Sequence, residues 1–241
     1  NDNEIDLTIT NDVYEDKFIK KITINGSNTS ESIQHFENLF SIICFLPEME
    51  RLFLNSPSLR RNFLDKLIYG IDRNYLKILN KYKKYILERN KILKQSNYDL
   101  DWIKQVEIDI VKLGINIFKK RAQHLEILNS ILLSLNEAGE KYYQIELKTF
   151  DNFVLNINYS YDKIQSLYLL ELEKSRNYDS IIGGCKIGPH KSDIFGINQS
   201  NKLNINQFST GQQKTVVLLI IIAQCKYLLE TLKRKPIILF D

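Results

Sequence analysis

Hydrophobic and polar positions change their period several times along the chain. Ile5, Leu7 and Ile9 alternate with polar residues, as do Ile22 and Ile24 before Asn25-Gly26, which predicts strands with a tight Asn-Gly turn. Ile42 to Leu46 is a short apolar run closed by Pro47. The pattern then becomes helical. Ser56-Pro57 reads as an N-cap followed by proline at the first helical position, opening SPSLRRNFLDKLIYGID. From Tyr75 the apolar residues fall at 75, 79, 82, 86 and 93. After a polar break, Ser96 to Asp101, a second stripe runs through Ile103, Val106, Ile110, Leu113 and Ile117. It continues, with one shift of phase, through Leu125, Leu128, Leu132 and Leu135. Two long helices joined by a short turn predict an antiparallel arm, and plain helical-bundle core fits the same stripes. Ile145 to Ile157 alternates as a strand pair, Asp162 to Ser175 reads as a helix, and Ile194 to Ile205 as a hairpin around Asn198 to Asn201. Strands and helices at both ends with a helical block between predict an α/β head carrying an inserted helical arm.

One junction in this pattern is abrupt. Phe208 to Gln224 reads FSTGQQKTVVLLIIIAQ, a polar opening followed by eight consecutive apolar residues, Val216 to Ala223. Continuation through Leu228, Leu229 and Leu232 favours a helix of about five turns over a short buried strand. Its first half is apolar all round and is expected to be sandwiched between other elements. Ser209 or Thr210 caps its start, where unsatisfied N–H groups and the helix dipole favour an anion. Gly211 admits close approach to the backbone, and Gln212 and Gln213 add side-chain donors. An ordinary N-cap is the alternative. The following PIILFD fits a buried parallel strand ending in a carboxylate, Asp241. In nucleotide-hydrolysing folds such an aspartate holds magnesium. A phosphate-ready helix start followed by such a strand is a stronger signal than either half alone.

Composition narrows the class without naming it. The 241 residues are 44% hydrophobic and 26% charged, ordinary values for a soluble globular protein. No apolar run approaches the roughly 20 residues of a membrane span, so no membrane association is expected. Cys44, Cys185 and Cys225 form no CxxC pair and the three histidines lack metal spacing, which suits a reducing, cytoplasmic setting. The chain begins with Asn1 in a strand-like stretch and ends on Asp241, and both ends are read as lying inside a longer protein.

Charge is unevenly placed. Eight basic residues and one acid, Glu88, between Arg73 and Lys94 give that segment +7 in a chain whose net charge is +4. Lys77, Lys81, Lys84 and Lys91 lie opposite the apolar stripe, as either a solvated face or a track for phosphates. Arg60 and Arg61 sit in the first turns of the helix after Ser56, where positive charge opposes the dipole. Either an external anion (DNA phosphate or nucleotide) or an acidic neighbour such as Asp65 is expected to compensate them. His190 is a candidate for catalysis facing a nucleotide, or a locally packed loop histidine.

Several of these stretches resemble one family. STGQQK is similar to the ABC-type signature in the variant carried by the RecF family of bacterial DNA replication and repair proteins. GPHKSD (Gly188 to Asp193) resembles that family's G-P-H-R-x-D segment, with Ser192 where an Asp is often found. FLPEMERLFLNSPSLRRNFLD (Phe45 to Asp65) and the stretch from Tyr75 through Arg89-Asn90 resemble two further blocks, in family order. The resemblance covers nearly the whole chain. It implies an α/β, ABC-type (SMC/Rad50-like) ATPase head with an inserted antiparallel helical arm. It also implies ATP and Mg2+ as cofactors and a homodimer formed on ATP binding. DNA (single-stranded and gapped duplex) and RecR- and RecO-like mediators are the implied partners. Carried over by position, Ser209, Thr210, Gly211 and Gln212 would meet the nucleotide of the partner subunit, Asp241 would hold magnesium, and Glu48 would fall at the Q-loop. On this reading residues 1–57 and 181–241 are parts of the head, 58–140 the arm and 141–180 a returning segment. No G-x-x-x-x-G-K-[ST] loop occurs in the chain, so that loop is expected upstream of Asn1 and this stretch alone is not expected to hydrolyse ATP. An ATP-binding transporter subunit and a non-catalytic helical interaction module are the alternatives. The first normally carries L-S-G-G-Q and lacks a long heptad arm here.

Overall fold

The apolar run that opens so abruptly becomes the helix around which the other elements gather. In the computed structural model, residues 5–14, 17–29, 31–33, 39–137, 143–151 and 160–240 are described. Three two-stranded sheets accompany five helices in this set. Strands β1 (Leu7–Tyr14) and β2 (Lys17–Ile24) pair antiparallel, with Leu7 opposite Ile24. Asn25-Gly26 makes a tight turn with positive φ at both residues, closing Ile24 onto Ser27. That turn follows the hairpin and does not join its strands.

Strand β3 (Phe40–Phe45) leads through a short 3-10 turn (Pro47–Arg51) into α1 (Pro57–Ile71). Ser56 is its N-cap by position, but its hydroxyl bonds Ser58 Oγ at 2.7 Å and not a backbone N–H. Helices α2 (Asn74–Leu93) and α3 (Leu100–Glu137) then pack together as the predicted pair. Tyr75, Leu79, Tyr82, Ile92 and Leu93 of α2 are buried. The 38-residue α3 is covered over a wider arc than one stripe, because Val111, Ile115 and Phe118 are buried as well as Ile103, Ile110 and Ile117. It touches α1, α2 and the elements that follow, so the helical pair is continuous with the core.

The returning chain forms β4 (Ile145–Phe150), α4 (Tyr161–Ile182) and β5 (Asp193–Asn198), with β4 and β5 antiparallel. The second half of the predicted strand pair, 152–157, lies outside the described residues. Helix α4 starts at a Ser160 cap and outruns its predicted end at Ser175, stopping at Gly183 in the left-handed region. A turn at Asn198–Lys202 brings Asn204 back onto Ile197, the predicted hairpin in reduced form.

Helix α5 (Thr210–Glu230) follows a short 3-10 turn, Ile205–Gln207. Val216, Val217, Leu219, Ile220, Ile221 and Ala223 are buried, each large one contributing about 1.5–3 kcal/mol relative to exposure. They meet Leu64 and Leu67 of α1 and Leu125 and Leu128 of α3 in one core. Ile222 remains 47% exposed, so the helix is covered on most sides and not all. Strand β6 (Lys235–Phe240) then pairs parallel with β3, Ile42 opposite Ile237. The parallel pairing is as expected and the burial is not: Ile237, Leu239 and Ile42 are exposed. Helices cover one face of this two-stranded sheet, where Ser41, Ile43 and Phe45 are buried, and on the other face Ile42 and Cys44 border a cavity that Leu7, Ile9, Ile22 and Ile24 of the hairpin also line.

Candidate functional site

The start of α5 is a closed capping box at the surface. Ser209 Oγ accepts the Gln212 N–H at 3.4 Å, and Gln212 Oε1 accepts the Ser209 N–H at 2.9 Å. Thr210 and Gly211 occupy the first turn, where N–H groups have no intrahelical acceptor. Space around Gly211 is open: nothing lies within 4 Å of where a Cβ would stand. Gln213 departs from its expected role. It is fully buried and its Nε2 donates to the Phe208 carbonyl, so it anchors the turn and does not reach outward. Lys214 reaches Glu50 at 2.5 Å, tying the helix start to the turn after β3. Glu48, the Q-loop candidate, lies in that turn with its side chain exposed, and its carbonyl accepts from Asn55 Nδ2. Asp241 lies outside the described residues, one position beyond β6.

A second constellation surrounds Gly188 to Asp193. Gly188 has φ 128°, and a Cβ there would stand 2.3 Å from both the Tyr82 and Tyr168 hydroxyls, so only glycine fits. Arg121 of α3 donates through Nη1 to the Pro189 carbonyl at 2.6 Å. Asp65 holds that guanidinium in turn, accepting from Nε and Nη2 at 2.8 Å each, and also accepts from Tyr75 Oη. His190 is gripped at both ring nitrogens. Nε2 donates to the Cys185 carbonyl at 2.8 Å, which leaves Nδ1 to accept the Tyr82 hydroxyl at 2.7 Å. Burial pushes its pKa down to about 4. The neutral ring fastens the loop, with no nitrogen open for proton transfer in this arrangement.

The two adjacent arginines divide in role. Arg60 forks onto Asp193 through Nε and Nη2 at 2.7 and 2.8 Å, and its Nη1 donates to the Phe53 and Asn55 carbonyls. The compensating acid is thus Asp193, while Asp65 serves Arg121. Burial pushes the Asp193 carboxyl up, but the Arg60 hydrogen bonds, the Ile194 N–H and the nearby arginines hold it below its ordinary value. Among the described residues, Arg61 donates only to a carbonyl, that of Ser192, at 2.6 Å.

On α2, Lys77, Lys81, Lys84 and Lys91 are exposed, as is Lys83, and none forms an ion pair with a described residue. Arg89 does not belong to that face. It is wholly buried, with Nε on Glu107 at 2.9 Å, Nη1 on Asp179 at 2.6 Å and Nη2 on the Leu172 carbonyl. Arg176 shares Glu107, and Ser175 Oγ donates to Asp179. This ionic knot pins α2, α3 and α4 together. Charge patterning along the chain carries no sign of it, because its members lie 18 and 90 positions from Arg89.

A pH dependence follows from the two described histidines. Burial pushes His124, packed against Tyr227 between α3 and α5, down to about 4 as well. Both folded values lie below the ordinary 6.5, so the unfolded chain binds more protons between those limits. Their contribution is complete above about pH 6.5 and is lost as pH falls towards 4, on the order of 3 kcal/mol per ring. Urea unfolding across this range checks it, and a flat profile from pH 7 to 4.5 contradicts it.

No protein-family model matches the chain. Solved structures share its fold, two of them as follows. One, described as the recombination mediator protein RecF–ATPrS in the RecFOR pathway, superposes with TM-score 0.83 at 24% identity over 99% of this chain and 64% of that one. The other, the corresponding RecF–ATP structure, gives TM-score 0.78 at 25% identity over 93% and 60%. The fold is therefore that of an ABC-type ATPase of mixed α/β content. Among curated proteins, DNA replication and repair protein RecF of Rickettsia bellii (strain OSU 85-389) is 29% identical over 219 residues, 91% of this chain. RecF of Rickettsia massiliae (strain Mtu5) is 30% identical over 201 residues, 83% of this chain. The chain belongs to the RecF family of DNA replication and repair proteins, and it spans 60% and 55% of the length of these two relatives.

Proposed function

We propose that the intact protein is an ATP-dependent DNA-binding protein of recombinational repair and replication restart, which dimerises on DNA at single-stranded gaps. The observation that carries this reading is the start of α5. Its capped, glycine-opened first turn stands at the surface with N–H groups directed outward, while the apolar half behind it is fixed in the core. A surface helix end anchored so firmly suits an anion brought by another molecule, here the terminal phosphates of ATP held by a second copy. Ser209, Thr210, Gly211 and Gln212 are the residues that would meet it, and the open space at Gly211 fits that approach. Bound magnesium would neutralise phosphate charge, and Asp241 is the residue proposed to hold it. Residues 1–57 and 181–241 would form the head, 58–140 the arm and 141–180 the return, with RecR- and RecO-like mediators as partners in the cytoplasm.

A transporter subunit is the less favoured reading. The relatives named above are DNA repair proteins. A purely structural helical module is distinguished by experiment. The intact protein is expected to sediment as a monomer without nucleotide and as a dimer with ATP, and a monomer in both conditions contradicts the proposal.

A further inference from the structure

The loop Gly188 to Asp193 is held at five of its six residues, and the sixth is a cation. Gly188 is wedged against two tyrosine hydroxyls, the Pro189 and Ser192 carbonyls are each held by an arginine, His190 is bound through both ring nitrogens, and Asp193 is forked by Arg60. Lys191 is exposed, and among the described residues only its backbone N–H is engaged, on the Gly188 carbonyl at 2.8 Å. A lysine displayed from so rigid a backbone loses less freedom on meeting a ligand than one on a mobile loop. Arg61 stands beside it, bonded to the residue that follows Lys191.

The surrounding charges are unbalanced. Arg60 and Arg121 each have a carboxylate, Asp193 and Asp65 respectively, whereas Arg61 and Lys191 form no ion pair with any described residue. Burial, then the neighbouring Arg121, lower the Arg61 pKa, with Asp193 and Asp65 opposing. Asp151, whose carboxyl burial pushes up against the pull of the Ser192 hydroxyl and Arg121, forms no ion pair with Arg61 or Lys191. The carbonyl that Arg61 binds belongs to Ser192, the residue next to Lys191, so the two cations are anchored at adjacent points of one backbone, and the neutral His190 ring adds no charge there. An arginine fork with donors to spare beside a lysine point charge suits a tetrahedral oxyanion.

We propose that Arg61 and Lys191 together bind one phosphate group. It comes either from the backbone of DNA or from the nucleotide of a second copy of the protein. The inference rests on the proposed function for these two sources, and the residues are distinct from those at the α5 start. In the intact protein, Lys191→Gln and the Arg61→Gln/Lys191→Gln pair are compared with wild type in two assays. One is the affinity for a fluorescent gapped duplex against salt, and the other is ATP-driven self-association.

Removing one charge-assisted hydrogen bond is expected to weaken whichever process uses the phosphate by about tenfold or more. If DNA supplies it, the slope of log affinity against log salt also flattens by about 0.9 and self-association is unchanged. If the second copy supplies it, self-association falls and the slope is kept. Either result supports the site. Unchanged behaviour of Lys191→Gln in both assays overturns it, and that variant leaves every interaction of the fold in place, so misfolding of the pair leaves the decision intact. If wild type neither binds DNA nor self-associates, the functional reading fails, and inorganic pyrophosphate then decides the site. A rise in melting temperature that Lys191→Gln abolishes supports it, and equal rises overturn it.

Discussion

Arg89→Ala is expected to lower the unfolding free energy by about 3–5 kcal/mol, a large part of the roughly 5–15 kcal/mol typical of a domain. Among the described residues, the substitution removes the only cation paired with Asp179 and one of two on Glu107, all of them at most 3% exposed. Asp179 would then be left buried with only the Ser175 hydroxyl and the Lys186 N–H as donors, Glu107 would depend on Arg176 alone, and the Leu172 carbonyl would lose its Arg89 donor. The pair itself is not the source of so large a value. Desolvating the three charged groups offsets much of their attraction, and the penalty arises from stranding Asp179 and leaving Glu107 to Arg176 alone. Replacing Arg89 and Asp179 together by apolar residues of similar volume, with Glu107 still held by Arg176, should therefore cost less than Arg89→Ala alone. Urea unfolding distinguishes the two. A decrease under about 1 kcal/mol for Arg89→Ala would show that the knot is open to solvent.

Changing Lys77, Lys81, Lys84 and Lys91 together to Gln should flatten the salt dependence of DNA binding by up to about three to four units, at about 0.9 for each phosphate no longer neutralised. All four are exposed on α2 and free of ion pairs with described residues, so neither folding nor the buried face depends on them. Glutamine has nearly the same helix propensity as lysine. Affinity at low salt should fall alike for every sequence, since phosphates carry no base information. The burial of Arg89 does not alter this expectation, because the four lysines are the outward members of the face. Salt titration of the intact protein provides the test, and an unchanged slope would assign the face to something other than DNA.

What the sequence made legible was local. The capped start of α5 and its apolar run needed only neighbouring residues, and the observed capping box, Ser209 to Gln212, spans four consecutive residues. The stripes on α2 and α3 marked helices, since a buried seam imposes its own period. The depth of α3 was not legible. A helix surrounded by α1, α2, α4, α5 and β4 buries residues off the seam, including Glu107, Arg121 and His124, which have the character of surface residues. Arg89 falls in sequence with the basic face for the same reason: its partners belong to other helices. Arg60 illustrates the limit in the site, for its acid lies 133 positions away and Asp65, the nearer one, is engaged by Arg121. Strand β6 has the composition of a buried strand, but burial depends on what lies across the sheet, and an apolar run records only that its face can be covered.

The claim that the α5 start acts across a subunit interface is tested most directly at Ser209. Its side chain is exposed and its hydroxyl makes one long hydrogen bond of 3.4 Å, so a bulky cation there disturbs the surface and leaves the core in place. A residue that touches only the nucleotide of another copy has no part in loading its own. Ser209→Arg in the intact protein is therefore expected to bind ATP as a monomer with affinity close to wild type, and to remain a monomer in sedimentation at ATP concentrations that dimerise the wild type. Equal loss of binding and dimerisation, or dimerisation unimpaired, would contradict the account.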